Sequence, residues 1–387
     1  MSPPQWSPLA GSSLDVALEV LRRGPLSRSE LARRLDLSRA SLTRLARPLL
    51  ESGLLHETDG GGAGGASDER TAGSRPLDVA VDQQRFVGVK VTADAVHAVV
   101  TDLRARTLDV AEAPLAGTSP EQVVEAVAGL VDRLRDAPGA PVAAVGVGVG
   151  GLVEGLGRVR SARYLRWEDV DLGPLLAERT GLPVVVDNDV LSLARAEQWF
   201  GAARDCDHFA VITVGAGIGY ALVVHDRVVA GPDAGIGLLG HTPLAATGPL
   251  CPQGHVGCAD ALLTVAAVEA RASVALRRPV DYGEVLRLAA AEDPAAARVV
   301  EESARALGRL VALVANTTMP QKVVLSGDGV ALAEVGRAAL DRALAADRDP
   351  RAGGVDVDVQ AVGFAEWARG AAATAIQTVV LGPSLLR

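Results

Sequence analysis

From about residue 84 onward the chain repeats one pattern. A short apolar run, rich in β-branched residues, is followed by a stretch whose apolar positions recur at helical spacing. The run 142–149 is apolar throughout and shows no alternation with charge. Such a strand must be covered on both faces, which parallel strands flanked by helices achieve. Strands are expected over 86–91, 97–102, 142–149, 184–187, 209–214, 220–224, 322–326 and 355–362. Helices are expected over 120–134 (Ser119 as cap, proline at its first position), 190–200, 259–274, 294–316 and 365–380. Interleaved strands and helices over about 300 residues predict α/β layers in two lobes. One lobe is 84–190 with the C-terminal helix, the other 191–365.

The 387 residues are 49% hydrophobic and 22% charged, which excludes a disordered chain. Net charge is −9, and its distribution matters more than its total. Residues 1–76 hold 10 arginines, no lysine and 9 acidic residues, a net +1; the other 311 residues carry 28 basic and 38 acidic groups, a net −10. The acidic body opposes contact with a polyanion, so any nucleic-acid contact falls to the N-terminal part. Three cysteines are too few for a disulfide framework. With no basic-then-apolar leader and no long apolar span, a cytoplasmic protein without membrane contact is expected.

Residues 13–57 read as three short helices entering a hairpin. Ser13 can cap the first, with Leu14, Ala17, Leu18 and Leu21 on one face. Ser27 and Glu30 have capping-box spacing before the second helix, and Ser38 can cap the third. Leu42, Leu45 and Leu49 then face inward, while Arg39, Ser41, Thr43, Arg44 and Arg47 face outward. Two short helices joined by a tight turn form a helix-turn-helix, whose second helix enters the DNA major groove. Eight arginines lie within residues 22–47 against Glu30 and Asp36, and arginine suits both phosphate and guanine contact. Residues 54–57 and 77–81 can form a wing around a glycine-rich tip at 59–67, with Arg75 at its base near the minor groove. The module 1–83 is therefore expected to be a winged helix-turn-helix with Arg28, Ser38, Arg39, Ser41, Thr43, Arg44, Arg47 and Arg75 toward DNA. The competing readings are a helical interaction domain with a solvated arginine face, and a plain linker in place of the wing.

Several loops of the body can hold a ligand. Gly146-Val-Gly-Val-Gly-Gly-Leu152 ends a buried strand, and Asp187-Asn188-Asp189 ends another just before a helix. Ligands bind at such strand ends in open α/β sheets. Asn188 can donate and accept; Asp189 is a base or a hydroxyl acceptor. Gly215-Ala-Gly-Ile-Gly219 can admit close backbone approach. Further on, His241, Cys251, His255 and Cys258 lie within one short glycine-rich segment. Two Cys and two His can hold Zn²⁺ tetrahedrally. The Cys251-x₆-Cys258 spacing is unlike ordinary zinc fingers, so a loop with two free thiols is the competing reading.

Taken in order, the N-terminal module, the Asn188-Asp189 pair, the GxGIG loop, Gly237-Leu-Leu-Gly-His241 and the Cys/Gly/His loop resemble the ROK family, which joins bacterial sugar kinases and repressors. The resemblance spans residues 13–387. It implies an actin-like, hexokinase-like two-lobed body, homodimers or tetramers, and a sugar in the cleft. It places Asp189 at the catalytic-base position and Asn188 at a sugar-contacting one. It places Gly150 and Gly151 over the sugar and His241 on zinc close to it. Asp260 stands where the family usually has a Glu that contacts hydroxyls.

This sequence departs from the family's pattern in three places. The Asp-x-Gly-Gly-Thr phosphate loop is replaced by Lys90-Val91-Thr92-Ala93-Asp94, so no ATP and no kinase activity are expected. Leu238 replaces a hydroxyl-binding Glu. Gln253 replaces the middle zinc Cys, leaving His241, Cys251 and Cys258 with His255 as a fourth ligand from a new position, or a vestigial site. The expected function is a DNA-binding transcriptional regulator of the repressor type, tied to carbohydrate metabolism and controlled by a sugar-like effector in a degenerate kinase cleft. Its expected partner is a palindromic double-stranded operator. The alternatives are a sugar kinase with an accessory DNA-binding domain, and a DNA-binding dimer that takes no ligand. Cleft closure, transmitted by the Cys/His loop, is the expected switch.

Overall fold

In the computed structural model, residues 11–58, 75–361 and 363–382 are described; the expected glycine-rich tip at 59–67 and Val362 lie outside them. The chain opens with α1 (Ser12–Arg23), α2 (Arg28–Arg34) and α3 (Arg39–Glu51). An antiparallel pair follows, β1 (Leu55–Glu57) with β2 (Leu77–Val79). The 3.6-residue spacing buries Val16, Val20, Leu31, Leu42, Ala46 and Leu49 together. Ser27 and Ser38 cap α2 and α3 by accepting from the backbone N–H of Glu30 (3.2 Å) and Ser41 (3.1 Å). Two cap expectations need correction. Ser13 lies inside α1, whose N-cap is Gly11. Glu30 takes the guanidinium of Arg34 at 3.4 Å in place of a capping box on Ser27.

The body continues with β3 (Arg85–Val91), β4 (Ala95–Thr101), β5 (Thr107–Pro114), α4 (Pro120–Asp136) and β6 (Val142–Val149). Three short strands, β7 (Leu152–Glu154), β8 (Arg158–Ala162) and β9 (Trp167–Val170), form a small antiparallel sheet. Then come α5 (Leu172–Thr180), β10 (Val184–Asn188) and α6 (Asp189–Phe200). The rest comprises β11 (Phe209–Val214), β12 (Ile218–Val224), β13 (Arg227–Val228), a 3-10 turn at Leu238–His241, α7 (Ala259–Leu263), α8 (Val265–Leu276), α9 (Tyr282–Ala290), α10 (Pro294–Thr318), β14 (Lys322–Ser326), α11 (Leu332–Val335), α12 (Arg337–Ala346), β15 (Asp356–Val359) and α13 (Phe364–Leu381). Two five-stranded sheets run β5-β4-β3-β6-β10 and β13-β12-β11-β14-β15. Both have one plan: three antiparallel strands, then two parallel strands. The inner parallel strands β6 and β14 carry apolar runs and are almost wholly buried. Among the described residues no helix is long and apolar enough to cross a membrane.

The expected 259–274 helix is two helices. Thr264 between them is extended (φ −62°, ψ 148°), and its hydroxyl donates to Asp260 O at 2.8 Å. Continuous apolar character hid that break. Strand β5 was missed because it is a mostly exposed edge strand with polar residues. The β7–β9 sheet, α9 and α12 were also missed, the strands being too short and too charged to show a period.

Helix α13 explains two glycines. A Cβ at Gly88 would lie 1.9 Å from Ala368 O, and one at Gly146 1.9 Å from Ala371 O. The helix backbone rests directly on β3 and β6. Gly146 and Gly148 are thus strand residues within β6, and only Gly150 and Gly151 of the expected ligand loop extend beyond it. One apolar cluster joins Val16 and Val20 of α1 to Phe86 of β3, Ala196 and Trp199 of α6, and Ile376 and Val380 of α13. The N-terminal helices are therefore packed onto the body. Arg104, after β4, locks that contact: it donates to Val20 O (2.8 Å) and Leu21 O (2.9 Å) and pairs with Asp78 of β2. A cation on the terminal carbonyls of α1 is favourable on dipole grounds as well. Gly146→Ala forces α13 off the sheet and is expected to cost about 3 kcal/mol. Thermal melts of the variant check this, and an unchanged midpoint refutes the close packing.

Candidate functional site

The cleft is built around the junction of β10 and α6. Asn188 ends the strand and caps the helix: its Oδ1 accepts from Val190 N (2.9 Å) and Leu191 N (3.1 Å), and its Nδ2 donates to Gly151 O (2.9 Å). Its amide is thus satisfied within the protein, and it positions the loop around it. Asp189, the next residue, is 8% exposed, and its carboxylate is held by Lys90 of β3. The ammonium also lies 5.3 Å from the ring centroid of Trp367, a cation–π contact. Lys90 fills the position beside Asp189 with a buried, paired cation.

The loops above this floor come from both lobes. A Cβ on Gly150 would lie 3.3 Å from Asp189 Oδ2, so the expected loop passes directly over the carboxylate. Between β8 and β9, Arg163 and Tyr164 reach across to the second lobe. The Tyr164 hydroxyl donates to Ala216 O at 3.0 Å. Arg163 donates at 2.9 Å to the side-chain oxygen of Gln253 in the amide orientation that satisfies both groups. The residue in place of the middle Cys thus ties the lobes together. Burial raises the Tyr164 pKa, and the nearby carboxylates of Asp260, Asp189 and Asp328 add to it. Asp328 follows β14, and its carboxyl crowds Gly215: a Cβ there would lie 2.2 Å from Asp328 Oδ1. Burial pushes its pKa up, with Lys90 acting the other way. Asp260 heads α7 with a buried Oδ1 that has no hydrogen-bond partner among the described residues. Tyr164 and Asp328 were missed in the sequence. The acid inside Ser326-Gly-Asp-Gly329 after a buried strand was the available signal for Asp328; an isolated tyrosine in a charged loop offers none.

His241, Cys251 and Cys258 converge as expected, with ligand atoms within 4.8 Å of one another. His241 Nδ1 lies 3.8 Å from Cys251 Sγ and 4.0 Å from Cys258 Sγ. Tetrahedral zinc separates such ligands by roughly 3.5–3.8 Å, so the donor set fits the ion in chemistry and spacing. His255 Nδ1 lies 3.5 Å from Cys251 Sγ, but the mutually close set is His241, Cys251 and Cys258. Burial raises the Cys251 thiol, but hydrogen bonds from the His255 and Gln253 backbone and the His255 ring prevail and bring it down to about 7. Burial raises Cys258.

The eight arginines of residues 22–47, with Arg75, divide into groups. Arg22 and Arg23 turn toward the body. Arg22 donates to Gln198 O (3.2 Å), Arg23 donates to Arg204 O (3.1 Å), and Arg23 pairs with Asp205. Arg28 pairs with Glu57 (2.6 Å), Arg34 with Glu19 and Glu30, and Arg47 with Glu51 (2.7 Å). Ser38 and Ser41 share a hydrogen bond (3.0 Å), and Thr43 donates to Arg39 O (2.9 Å). Arg75 is exposed and lies just before β2. The Arg33, Arg39 and Arg44 side chains are exposed and make no hydrogen bond or ion pair among the described residues. Arg39 and Arg44 lie in the first half of α3.

Comparison with known proteins agrees on the lineage. The chain is 28% identical over 325 residues to the DNA-binding transcriptional dual regulator NagC of Escherichia coli K12, covering 79% of this chain and 77% of that protein. The crystal structure of a ROK family transcriptional regulator, a homologue of the E. coli MLC protein, superposes with a TM-score of 0.78 at 23% identity, covering 97% of each chain. The ROK hexokinase of Thermus thermophilus is 31% identical with a TM-score of 0.63, covering 75% of this chain and 97% of that one. The body has their actin-like, hexokinase-like architecture. The model of the ROK family matches residues 86–378, and the chain belongs to that family.

Proposed function

We propose that this chain is a DNA-binding transcriptional regulator whose operator affinity is set by a sugar-like ligand in the cleft. In this reading residues 1–83 form a winged helix-turn-helix, and residues 84–387 form a ligand-binding, oligomer-forming body that lets two modules read a palindromic double-stranded operator. The observation that carries it is the pairing of two features. At the outer start of α3 the Arg39 and Arg44 side chains have no hydrogen-bond or ion-pair partner among the described residues, and the position beside Asp189 is occupied by Lys90. Phosphoryl transfer needs a cradle of free backbone N–H groups for phosphate, and the chain has Lys90 through Asp94 there. With Lys90 beside it, Asp189 serves as a hydroxyl acceptor. The Asp260 carboxylate and the backbone at Gly150 and Gly151 complete the ligand contacts. His241 stands between the ligand region and the thiols, 3.9 Å from Asp260 Oδ2. Zinc on His241, Cys251 and Cys258, with His255 as fourth ligand, would hold that loop as a rigid wall.

Helix α6 supplies the coupling. Its N-terminus is the ligand floor, and its C-terminal carbonyls receive Arg22 of α1. Twelve helical residues span about 18 Å. Buried from Asp189 to Trp199, this helix moves as one piece. A ligand that shifts the helix start therefore shifts the seat of the DNA-reading module. This replaces the Cys/His loop as the expected transmitter.

Arg39→Ala and Arg44→Ala are each expected to weaken operator binding by about 1–3 kcal/mol in mobility-shift titrations at fixed salt. Unchanged affinity for both variants refutes α3 as the reading helix. The Arg22→Ala, Arg23→Ala double variant should still bind operator and effector, while the effector-induced change in operator affinity collapses toward onefold. Retention of the wild-type ratio in a linked titration argues against α6. Elemental analysis of chelator-free protein should find about one zinc per chain, falling to near zero in Cys251→Ser; a metal-free wild type removes zinc from the site.

A further inference from the structure

The Cys251 and Cys258 sulfurs can do more than ligate a metal. They lie within 4.8 Å of each other, against about 2.0 Å in a disulfide, so a shift of about 3 Å closes the bond. With Gln253 between them, the segment holds no third thiol to divert that bond. The remaining cysteine, Cys206, lies apart, among Asp205, Asp207, Lys322 and Asp356.

The two ends of the loop are held differently. Cys258 is fully buried, and the residue before it is pinned. Gly257 N donates to Pro249 O (2.9 Å), and Gly257 O accepts from Leu244 N (2.9 Å) and Ala245 N (3.0 Å). A Cβ on Gly257 would lie 2.5 Å from Ala245 O, so this side is tightly packed. Cys251 instead opens a turn, residues 252–256, that is exposed throughout. Gly254 in that turn has φ +87° and open space where a Cβ would stand. Cys251 can therefore move to Cys258 by rearranging a turn that nothing packs against at Gly254.

We propose that Cys251 and Cys258 form a reversible disulfide on meeting a peroxide, and that oxidant and zinc compete for the same two sulfurs. The competition rests on the zinc reading above; the bond itself rests on the sulfur geometry. In the metal-free loop the Cys251 sulfur attacks one peroxide oxygen and the O–O bond breaks. The thiol proton joins the departing hydroxide as water and leaves a sulfenic acid. The Cys258 sulfur then attacks the Cys251 sulfur, the S–O bond breaks, and the Cys258 proton leaves with that hydroxyl as a second water. Two electrons pass from the thiols to one peroxide. From the zinc-bound loop, two solvent protons replace the thiol protons and the sulfurs release Zn²⁺. Gln253 lies inside the closed ring and holds Arg163 of the other lobe at 2.9 Å. Drawing Cys251 toward Cys258 pulls Gln253 from that contact, so the disulfide loosens the tie between the lobes.

The test treats the full chain, zinc-loaded and chelator-stripped, with a small excess of hydrogen peroxide. Free thiols are expected to fall from three per chain to about one. Peptide mass spectrometry should find Cys251 joined to Cys258, and dithiothreitol should restore both thiols. A chromogenic chelator should detect about one zinc per chain, released in step with thiol loss. The stripped chain should lose its thiols at least about threefold faster than the zinc-loaded one. Hydrogen exchange over residues 160–166 should rise about threefold on oxidation. Retention of all three thiols, loss of Cys206 alone, a sulfinic acid at Cys251 or a disulfide between two chains overturns the site. Equal rates with and without zinc overturn the competition, and unchanged exchange at 160–166 overturns the effect on the lobes. A chain that takes up no zinc overturns both the competition and the zinc reading, while the thiol and mass data still judge the disulfide.

Discussion

The buried pair between Lys90 and Asp189 is the interaction on which the cleft depends. Taking both charges out of water is costly, and only their mutual contact offsets it. Removing either partner alone would strand the other and cost about 3–5 kcal/mol. The pair therefore fixes the relation between β3, which carries the lysine, and the start of α6, which carries the carboxylate. It also fixes the chemistry. Asp189 is a carboxylate held by an ammonium beneath the loop at Gly150.

From that point the architecture follows a short physical path. Helix α6 starts at the pair, lies buried against α13, and ends beside α1. Helix α13 in turn lies on β3 and β6 through Gly88 and Gly146, which lack the atoms that would keep it away. Ligand floor, sheet and N-terminal helices share one set of packed surfaces, so a displacement at one end has little compliant material in which to dissipate. The arginines divide accordingly. Arg22, Arg23 and Arg104 hold the N-terminal helices to the body, and Arg39 and Arg44 are left to face outward.

Much of this was legible from pattern. Apolar runs located most strands of both sheets because buried strands are mostly apolar, with charge such as Lys90 tolerated where it is paired. Serines at Ser27, Ser38 and Ser119 marked true helix starts because a cap acts within three residues. The reading failed where tertiary context overrode local character: at Thr264, at the edge strand β5, and at the small β7–β9 sheet. Among site residues, convergence of His241, Cys251 and Cys258 could be read from spacing and resemblance. The partners of Lys90, Gln253 and Asp328 could not, since each lies on another segment about ninety residues or more away along the chain.

By itself the sequence determined the class of layers, the arginine-rich N-terminal helices and the grouping of Cys and His, because these rest on period, composition and short spacing. Only the tertiary structure decided which arginines face outward, that Lys90 neutralises Asp189, that Gln253 bridges the lobes, and that Asp328 lies against the glycine loop. Charge on a residue is local, but what that charge meets is set by which distant segments the packed sheets bring beside it.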